Sequence, residues 1–349
     1  MQESAVLSPA ISGSKVAYSP KLIDNHGRPI TYVRLSVTDR CNLRCLYCMP
    51  AEGIDFLAHS EVLSFDELLR LARLFASLGI NKLRITGGEP FVRNGLIDFL
   101  ERLAAIDGIE EINITTNGVL TAPFVKDLKR IGISSVNLSL DTLDRERFKT
   151  ITRRDEFDAV MKTFYALLEH GIPTKINAVV TEGVNTVDIV PLTLLSRDYP
   201  VSVRFIEEMP FNGSGQHKPV LTWNYTKILA VLKEAFPNMI KLKDAPFSTS
   251  MNYAIEGHLG TVGVIAAYSR TFCGTCNRIR LTPKGEIHTC LYDNRGYDVK
   301  TPMRHGASDS ELEALIRKCV GERYQDGFQA EANRIGHLPV TESMSTIGG

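Results

Sequence analysis

Apolar positions along the chain follow two alternating rhythms. Short runs rich in β-branched residues, at 31–37, 82–86, 111–115, 135–140, 174–180 and 202–206, predict strands. Between them apolar residues return every three or four positions, the spacing of an amphipathic helix. The segment 65–78 shows it best. Leu68, Leu69, Leu71, Ala72, Phe75 and Leu78 share one stripe, Ser64 and Glu67 form a capping box ahead of it, and Gly79 offers a stop. Segments 96–103, 123–131 and 157–170 repeat the pattern, with Gly108, Gly132 and Gly171 near their ends. This alternation through residues 31–207 predicts a parallel sheet wrapped by helices. Six units are few for a closed eightfold barrel, so the expected class is α/β with a partial, six-stranded barrel.

The rhythm breaks after Met209. Residues 210–219 read as loop, 223–236 as a helix, 237–306 as short strands and turns, and 311–320 as a last helix. Residues 1–24, rich in Ser, Ala and Pro, are expected to form a mobile tail. The expected division is 25–240 for the barrel core and 241–349 for a smaller α+β domain. Forty basic and forty acidic side chains cancel. That excludes a general attraction to nucleic acid or anionic membranes, and any anion site has to be a local gathering of Arg and Lys. No apolar run approaches the ~18 residues of a membrane span. The first twenty residues have neither a basic start nor an apolar stretch, so a cytoplasmic protein is expected.

Cysteine changes the picture. There are seven, an odd number without an export signal, which points to reduced thiols. Cys319 stands alone in a helical stretch and reads as a small buried apolar residue. The other six form two triads. Cys41, Cys45 and Cys48 follow the first strand in the string SVTDRCNLRCLYCMP. Structural zinc wants four ligands, whereas this stretch offers three, and His59 lies eleven residues beyond Cys48. Three thiolates in a tight loop suit a cubane 4Fe–4S cluster with one iron left open, with a structural metal knuckle as the alternative. Cys273, Cys276 and Cys290 make the second triad. A zinc ribbon stays open there, with a remote fourth ligand or His288, although His288 lies only two residues from Cys290.

The first triad resembles the signature of the radical S-adenosylmethionine (SAM) superfamily. The resemblance implies that the open iron chelates the methionine end of SAM, that SAM is cleaved to a 5′-deoxyadenosyl radical, and that Tyr47 lies near adenine. The second strand ends in RITGGEP, similar to the superfamily's SAM amino-group motif, and Gly87 and Gly88 remove side chains where a ligand approaches backbone. Later strands end in TTNG, LSLD, KIN and RFIEEM, gathering polar groups at the carboxyl ends, where α/β barrels place their sites.

Two triads together with the C-terminal SMSTIGG resemble the GTP 3′,8-cyclase family within that superfamily, from about Asp24 to Tyr297 and again at the end. The string FVRNG departs mildly from the family's usual ending of the GGEP motif. The resemblance implies conversion of GTP to 3′,8-cyclo-7,8-dihydro-GTP, the first step of molybdenum cofactor biosynthesis, with two 4Fe–4S clusters and SAM as cofactors. It places SAM against Tyr47, Gly88, Ser139 and Met209. It places GTP against Arg34, Arg84, Thr115, Lys175, Arg278, Ile279 and Arg280, with the guanine edge on the second cluster. It also implies a catalytic tail of Gly348 and Gly349, a homodimer, and hand-over of product to cyclic pyranopterin monophosphate synthase. Arginine forks suit phosphate oxygens, and Arg278 and Arg280 face one side of a strand. Two other readings stay open on the residues: another radical SAM enzyme with an auxiliary cluster, and a zinc-stabilised nucleotide-binding module.

Overall fold

The computed structural model describes residues 22–213, 221–334 and 341–347. Gly348, Gly349 and residues 1–21 of the expected tail lie outside the described residues. Strands β1 (Tyr32–Ser36), β2 (Lys82–Thr86), β3 (Glu111–Thr116), β4 (Ser135–Ser139), β5 (Thr174–Val180) and β6 (Ser202–Glu207) pair in sequence order, all parallel. The chain returns between them through α1 (Phe65–Ser77), α2 (Leu96–Ala104), α3 (Val125–Ile131), α4 (Arg145–Thr152), α5 (Phe157–Glu169) and α6 (Ile189–Asp198). The Ser64–Glu67 capping box forms as expected. Helices α4 and α6 were not expected. The first is short and carries few apolar residues. The second holds Pro191 in its first turn, where the missing N–H is one that no helical partner would meet.

The remaining elements are α7 (Tyr225–Ala235), β7 (Ile240–Lys241), β8 (Ser250–Ala254), β9 (Thr261–Ile265), β10 (Arg278–Leu281), β11 (Glu286–His288), β12 (Tyr297–Asp298), α8 (Lys300–Arg304), α9 (Asp309–Gly321) and α10 (Gly327–Ala332). Short strands form within 237–306 as expected, but they join the sheet of the six barrel strands. Strand β10 pairs parallel with β1, and β9 pairs parallel with β6. Strands β11 and β12 continue antiparallel beyond β10, and β8 and β7 beyond β9, so one twelve-stranded sheet results. An open parallel sheet leaves unpaired N–H and C=O groups along both edges, and the C-terminal strands cover them.

The outer faces of the strands meet the helices. Val33, Leu35, Leu83, Ile85, Ile114 and Val136 pack with Leu68, Leu69 and Phe75 of α1 in one buried cluster. Cys319 of α9 belongs to that cluster and is fully buried, as expected. The inner faces are polar. Arg34, Arg84, Thr115, Asn137, Lys175 and Arg204 line an interior cavity of about 550 Å³. Of residues 22–24, counted in the expected tail, Leu22 and Asp24 are packed into the molecule, and the Asp24 carboxylate pairs with Arg28 at 2.6 Å and Arg323 at 3.4 Å. Two buried guanidinium groups need that counter-charge, which holds the chain in place.

Candidate active site

The parallel register puts the two cysteine triads at opposite ends of the cavity. The first follows the carboxyl end of β1. Cys276 precedes β10, whose first residue pairs with Tyr32 at the amino end of β1. β11 runs antiparallel to β10, which brings Cys290 back to that same amino end. The triads therefore flank β1, a five-residue strand, one beyond each of its ends.

At the first end the GGEP segment clasps the loop. Gly88 N–H donates to the Thr38 carbonyl and Glu89 N–H to the Arg40 carbonyl, each at 2.8 Å. A Cβ on Gly88 would lie 2.3 Å from the Arg40 oxygen, and one on Gly87 would lie 2.6 Å from the Thr38 oxygen. The glycines thus let one chain segment lie on another, besides clearing space for a ligand. Glu89 is buried and accepts from Thr116 Oγ1 and the Asn117 amide, both at 2.7 Å. Burial pushes its carboxyl up to about 7. Cys41 Sγ accepts from the Leu43 amide at 3.4 Å and from Asn117 Nδ2 at 3.7 Å. Tyr47 donates its hydroxyl to Asp141 at 2.8 Å, and burial raises that carboxyl to about 6. Gly88, Ser139 and Met209 line the same cavity.

The C-terminal segment closes over this end. Ser343 Oγ donates to the Cys48 carbonyl at 2.7 Å, and Gly213 N–H donates to the Glu342 carbonyl at 3.0 Å. Met344 and Ile347 pack against Phe211 and Tyr292, with Cys290 and Met209 alongside. The segment that leads to Gly348 and Gly349 therefore borders both cysteine sites.

On the chain leading to the second triad, Glu207, wholly buried at the carboxyl-end close of β6, accepts from the amides of Tyr225, Tyr268 and Ser269 at 2.7, 2.9 and 2.7 Å. That fixes the loop leading to Cys273. Arg270 lies 3.5 Å over the Tyr292 ring and donates to the Gly327 carbonyl. Arg28 donates to the Cys273 carbonyl and Arg323 to the Cys276 carbonyl. The His288 ring is engaged with the Asp293 carbonyl and Glu286 instead of lining the cavity.

Both triads suit cubane clusters. Among the described residues no three Cys, His, Asp or Glu side chains converge on a single-ion site. A cubane takes three thiolates, one on each of three irons, and three is what each loop offers. Burial raises Cys41 and Cys290 to about 11 and Cys48 to about 12. Buried thiols of this kind become thiolates when a metal supplies the opposite charge.

Between the triads the inner face is cationic. Arg34, Arg84 and Arg280 lie side by side on β1, β2 and β10, with Arg278, Lys175 and Arg204 around them. Arg84 Nε bonds the hydroxyl of buried Tyr32. Burial and neighbouring cations lower Arg34 to about 9, Arg204 and Arg280 to about 10, and Lys175 to about 8. Burial acts upward on Tyr32, but Arg84, Arg34 and Arg278 outweigh it and bring the phenol down to about 8. Glu207 and Asp326 are the carboxylates among the described lining residues, and both accept from backbone amides. The cavity thus calls for an anion of several charges.

The expected residues Arg34, Arg84, Thr115, Lys175, Arg278 and Arg280 all line this cavity, but Ile279 does not. Strand alternation turns its side chain outward into the apolar core, fully buried. The cations also sit along the strands and toward their amino ends, deeper than the carboxyl edge expected for a barrel. Arg204, Tyr32 and Arg323 were assigned no role from sequence. A signal existed for the first two, in polar residues alternating within parallel strands that otherwise read as apolar.

Residues 35–194 match the family model of the Radical SAM superfamily, and residues 201–328 that of Molybdenum Cofactor Synthesis C. The chain is 43% identical over 334 residues to GTP 3′,8-cyclase of Heliobacterium modesticaldum, covering 94% of this chain and 100% of the relative. It is 40% identical over 342 residues to mitochondrial GTP 3′,8-cyclase of Arabidopsis thaliana, covering 95% and 84%. SuiB of Streptococcus suis shares the fold, with a TM-score of 0.60 at 15% identity over 90% of this chain and 76% of that one.

Proposed function

The chain belongs to the GTP 3′,8-cyclase family of radical SAM enzymes, and on that premise we propose which of its residues carry the reaction. The enzyme converts GTP to 3′,8-cyclo-7,8-dihydro-GTP, with SAM cleaved to 5′-deoxyadenosine and methionine, in the first step of molybdenum cofactor biosynthesis. Its cofactors are two 4Fe–4S clusters and SAM. When bound, they supply the electron and the 5′-deoxyadenosyl radical.

Cys41, Cys45 and Cys48 hold the first cluster, and Tyr47, Gly88, Ser139 and Met209 hold SAM beside it. Cys273, Cys276 and Cys290 hold the second. Arg34, Arg84, Thr115, Lys175, Arg278 and Arg280 bind GTP, joined by Arg204. The observation that carries this reading is a row of cations on adjoining strands, in one cavity, with a cysteine triad at each end. A triphosphate carries about four charges, and guanidinium forks match its oxygens. Cations fixed on strands present ribose and base in one orientation, the condition for selective attack. Phe211, Tyr292 and Met344 help exclude water. Gly348 and Gly349 complete the site as a catalytic tail. The enzyme acts as a cytoplasmic homodimer and passes its product to cyclic pyranopterin monophosphate synthase. No helix among the described residues is long and apolar enough to cross a membrane.

Anaerobic reconstitution followed by SAM, GTP and reductant, with mass spectrometry of the nucleotides, tests the assignment. The full chain yields cyclised nucleotide, and the chain lacking Gly348 and Gly349 yields none while still binding GTP. Full conversion by the shortened chain would remove the tail from the site.

Lys175 and Tyr32 give the site a pH signature. Both titrate at about 8 before GTP binds. As pH rises through 8, Lys175 loses its positive charge and Tyr32 gains a negative one. Each change weakens the hold on an anion, so GTP affinity falls. Bound GTP favours the protonated form of both, so binding takes up protons above pH 8. Calorimetry in two buffers of different ionisation heat measures that uptake, and zero uptake at pH 8.5 contradicts the placement of these two groups.

A further inference from the structure

Behind the second cysteine triad lies a set of charges that the reaction as described does not use. The backbone turns between Asp24 and Arg28, and the Asp24 side chain is wholly buried at the centre of the set. Arg28 pairs with it and donates to the carbonyls of Cys273 at 3.0 Å, Gln325 at 2.6 Å and Tyr324 at 3.0 Å. Arg323 has 3% side-chain exposure and pairs with the same carboxylate. Its Nη1 donates to the Cys276 carbonyl and its Nη2 to Cys276 Sγ, both at 2.9 Å. His26 Nε2 lies 3.0 Å from the Arg323 carbonyl and ties the two segments together.

Holding the loop needs only the two carbonyl contacts. The bond to Sγ places a full positive charge on a sulfur that ligates iron. Cys41 differs, since its sulfur accepts from the neutral donors of Leu43 and Asn117. Hydrogen bonds and charge at a ligating sulfur draw electron density from the metal and favour its reduced state. We propose that Arg323, acting through Cys276, is a positioning residue that raises the reduction potential of the second cluster and sets it apart from the first. Asp24 helps to hold the guanidinium in place, while its own negative charge acts in the opposite direction. The inference rests on the reading that Cys273, Cys276 and Cys290 hold a 4Fe–4S cluster.

The test is an anaerobic redox titration of the reconstituted holoenzyme, followed by electron paramagnetic resonance, for the native chain, Arg323→Gln, Arg323→Lys and Asp24→Asn. The signal that changes on adding SAM belongs to the first cluster and serves as the internal reference. The expected result is a lower midpoint for the second cluster in Arg323→Gln, a smaller drop in Arg323→Lys, and a rise in Asp24→Asn, which removes a buried negative charge while the Cys276 contacts still hold the guanidinium. The first midpoint stays fixed, and iron stays at about eight per chain. Arg323→Gln with full iron and an unchanged second midpoint overturns the proposal, as does an equal shift of both midpoints. Should Arg323→Gln fail to keep the second cluster, Arg323→Lys and Asp24→Asn decide by the same criteria. A native chain that binds only about four irons removes the cluster reading itself.

Discussion

Serine in place of Cys41, Cys45 or Cys48 abolishes both 5′-deoxyadenosine and cyclised nucleotide, whereas serine in place of Cys273, Cys276 or Cys290 leaves slow 5′-deoxyadenosine formation without cyclised nucleotide. Iron–sulfur clusters are held by thiolates, and a serine hydroxyl is a poor substitute. The two outcomes differ because the two loops are built independently. The first is held by the backbone of Gly88 and Glu89 and by Asn117. The second is held by Arg28 and Arg323 at the other end of β1, while Glu207 fixes the segment that leads to it. Losing one triad leaves the other's supports in place. Without the second, the base has no anchor, and a displacement of about 1 Å costs on the order of a hundredfold in rate. Chromatography of both products, with iron measured alongside, separates the two patterns. Normal cyclisation by Cys276→Ser carrying only the first cluster would overturn the assignment of the second to substrate binding.

Arg204→Gln lowers kcat/KM for GTP by roughly 10- to 150-fold, the equivalent of about 1.5–3 kcal/mol for a hydrogen bond to a charged partner. Arg204 is suited to so large an effect. Among the described residues its buried Nε has no hydrogen-bond partner, so a bound anion is what would satisfy it. The loss should shrink in binding measurements as the polyphosphate is shortened from GTP to GMP. A second readout comes from Lys175, which Arg204 helps to depress. Removing that cation raises the lysine, and the alkaline fall in GTP affinity moves upward from about pH 8. An unchanged pH limb with the same loss of affinity would mean that Arg204 acts at a distance from the lysine. An equal loss for GTP and GMP would move it away from the phosphates.

The six strands of the barrel were legible because each is a short β-branched run between helical patterns, and their observed ends fall within one residue of expectation. The cysteine triads were legible from spacing, and the string GGEP from its glycines. The cation row was less so. In YVRLS, KLRIT, SVRFIE and RIRL a basic residue sits between apolar neighbours, which in an isolated strand reads as a surface position. Only the sheet as a whole, lining one cavity, turns those positions inward together. The same alternation explains why Ile279, between two site arginines, belongs to the core. The addition of β10 to β1 and β9 to β6 left no local trace, since a strand's partner 246 or 59 residues away is chosen by tertiary packing. Asp24 and Arg323 were obscured for the same reason, lying at the two ends of the sequence and meeting only in the folded molecule.

The pairing of Tyr32 with Arg278 also imposes an order on synthesis. About 250 residues must leave the ribosome before β1 meets its outer neighbour, which at roughly 5–20 residues per second takes on the order of 12–50 seconds. During that interval the newborn chain can already hold strands β1 to β6, the cysteine loop after β1 and the GGEP clasp on that loop. It also carries an open β1 edge, which any extended strand can join. Translation therefore completes the first cysteine loop and most of the cation row before the second triad and the two arginines of β10, and the unfinished edge is where a growing chain is most exposed to misassembly.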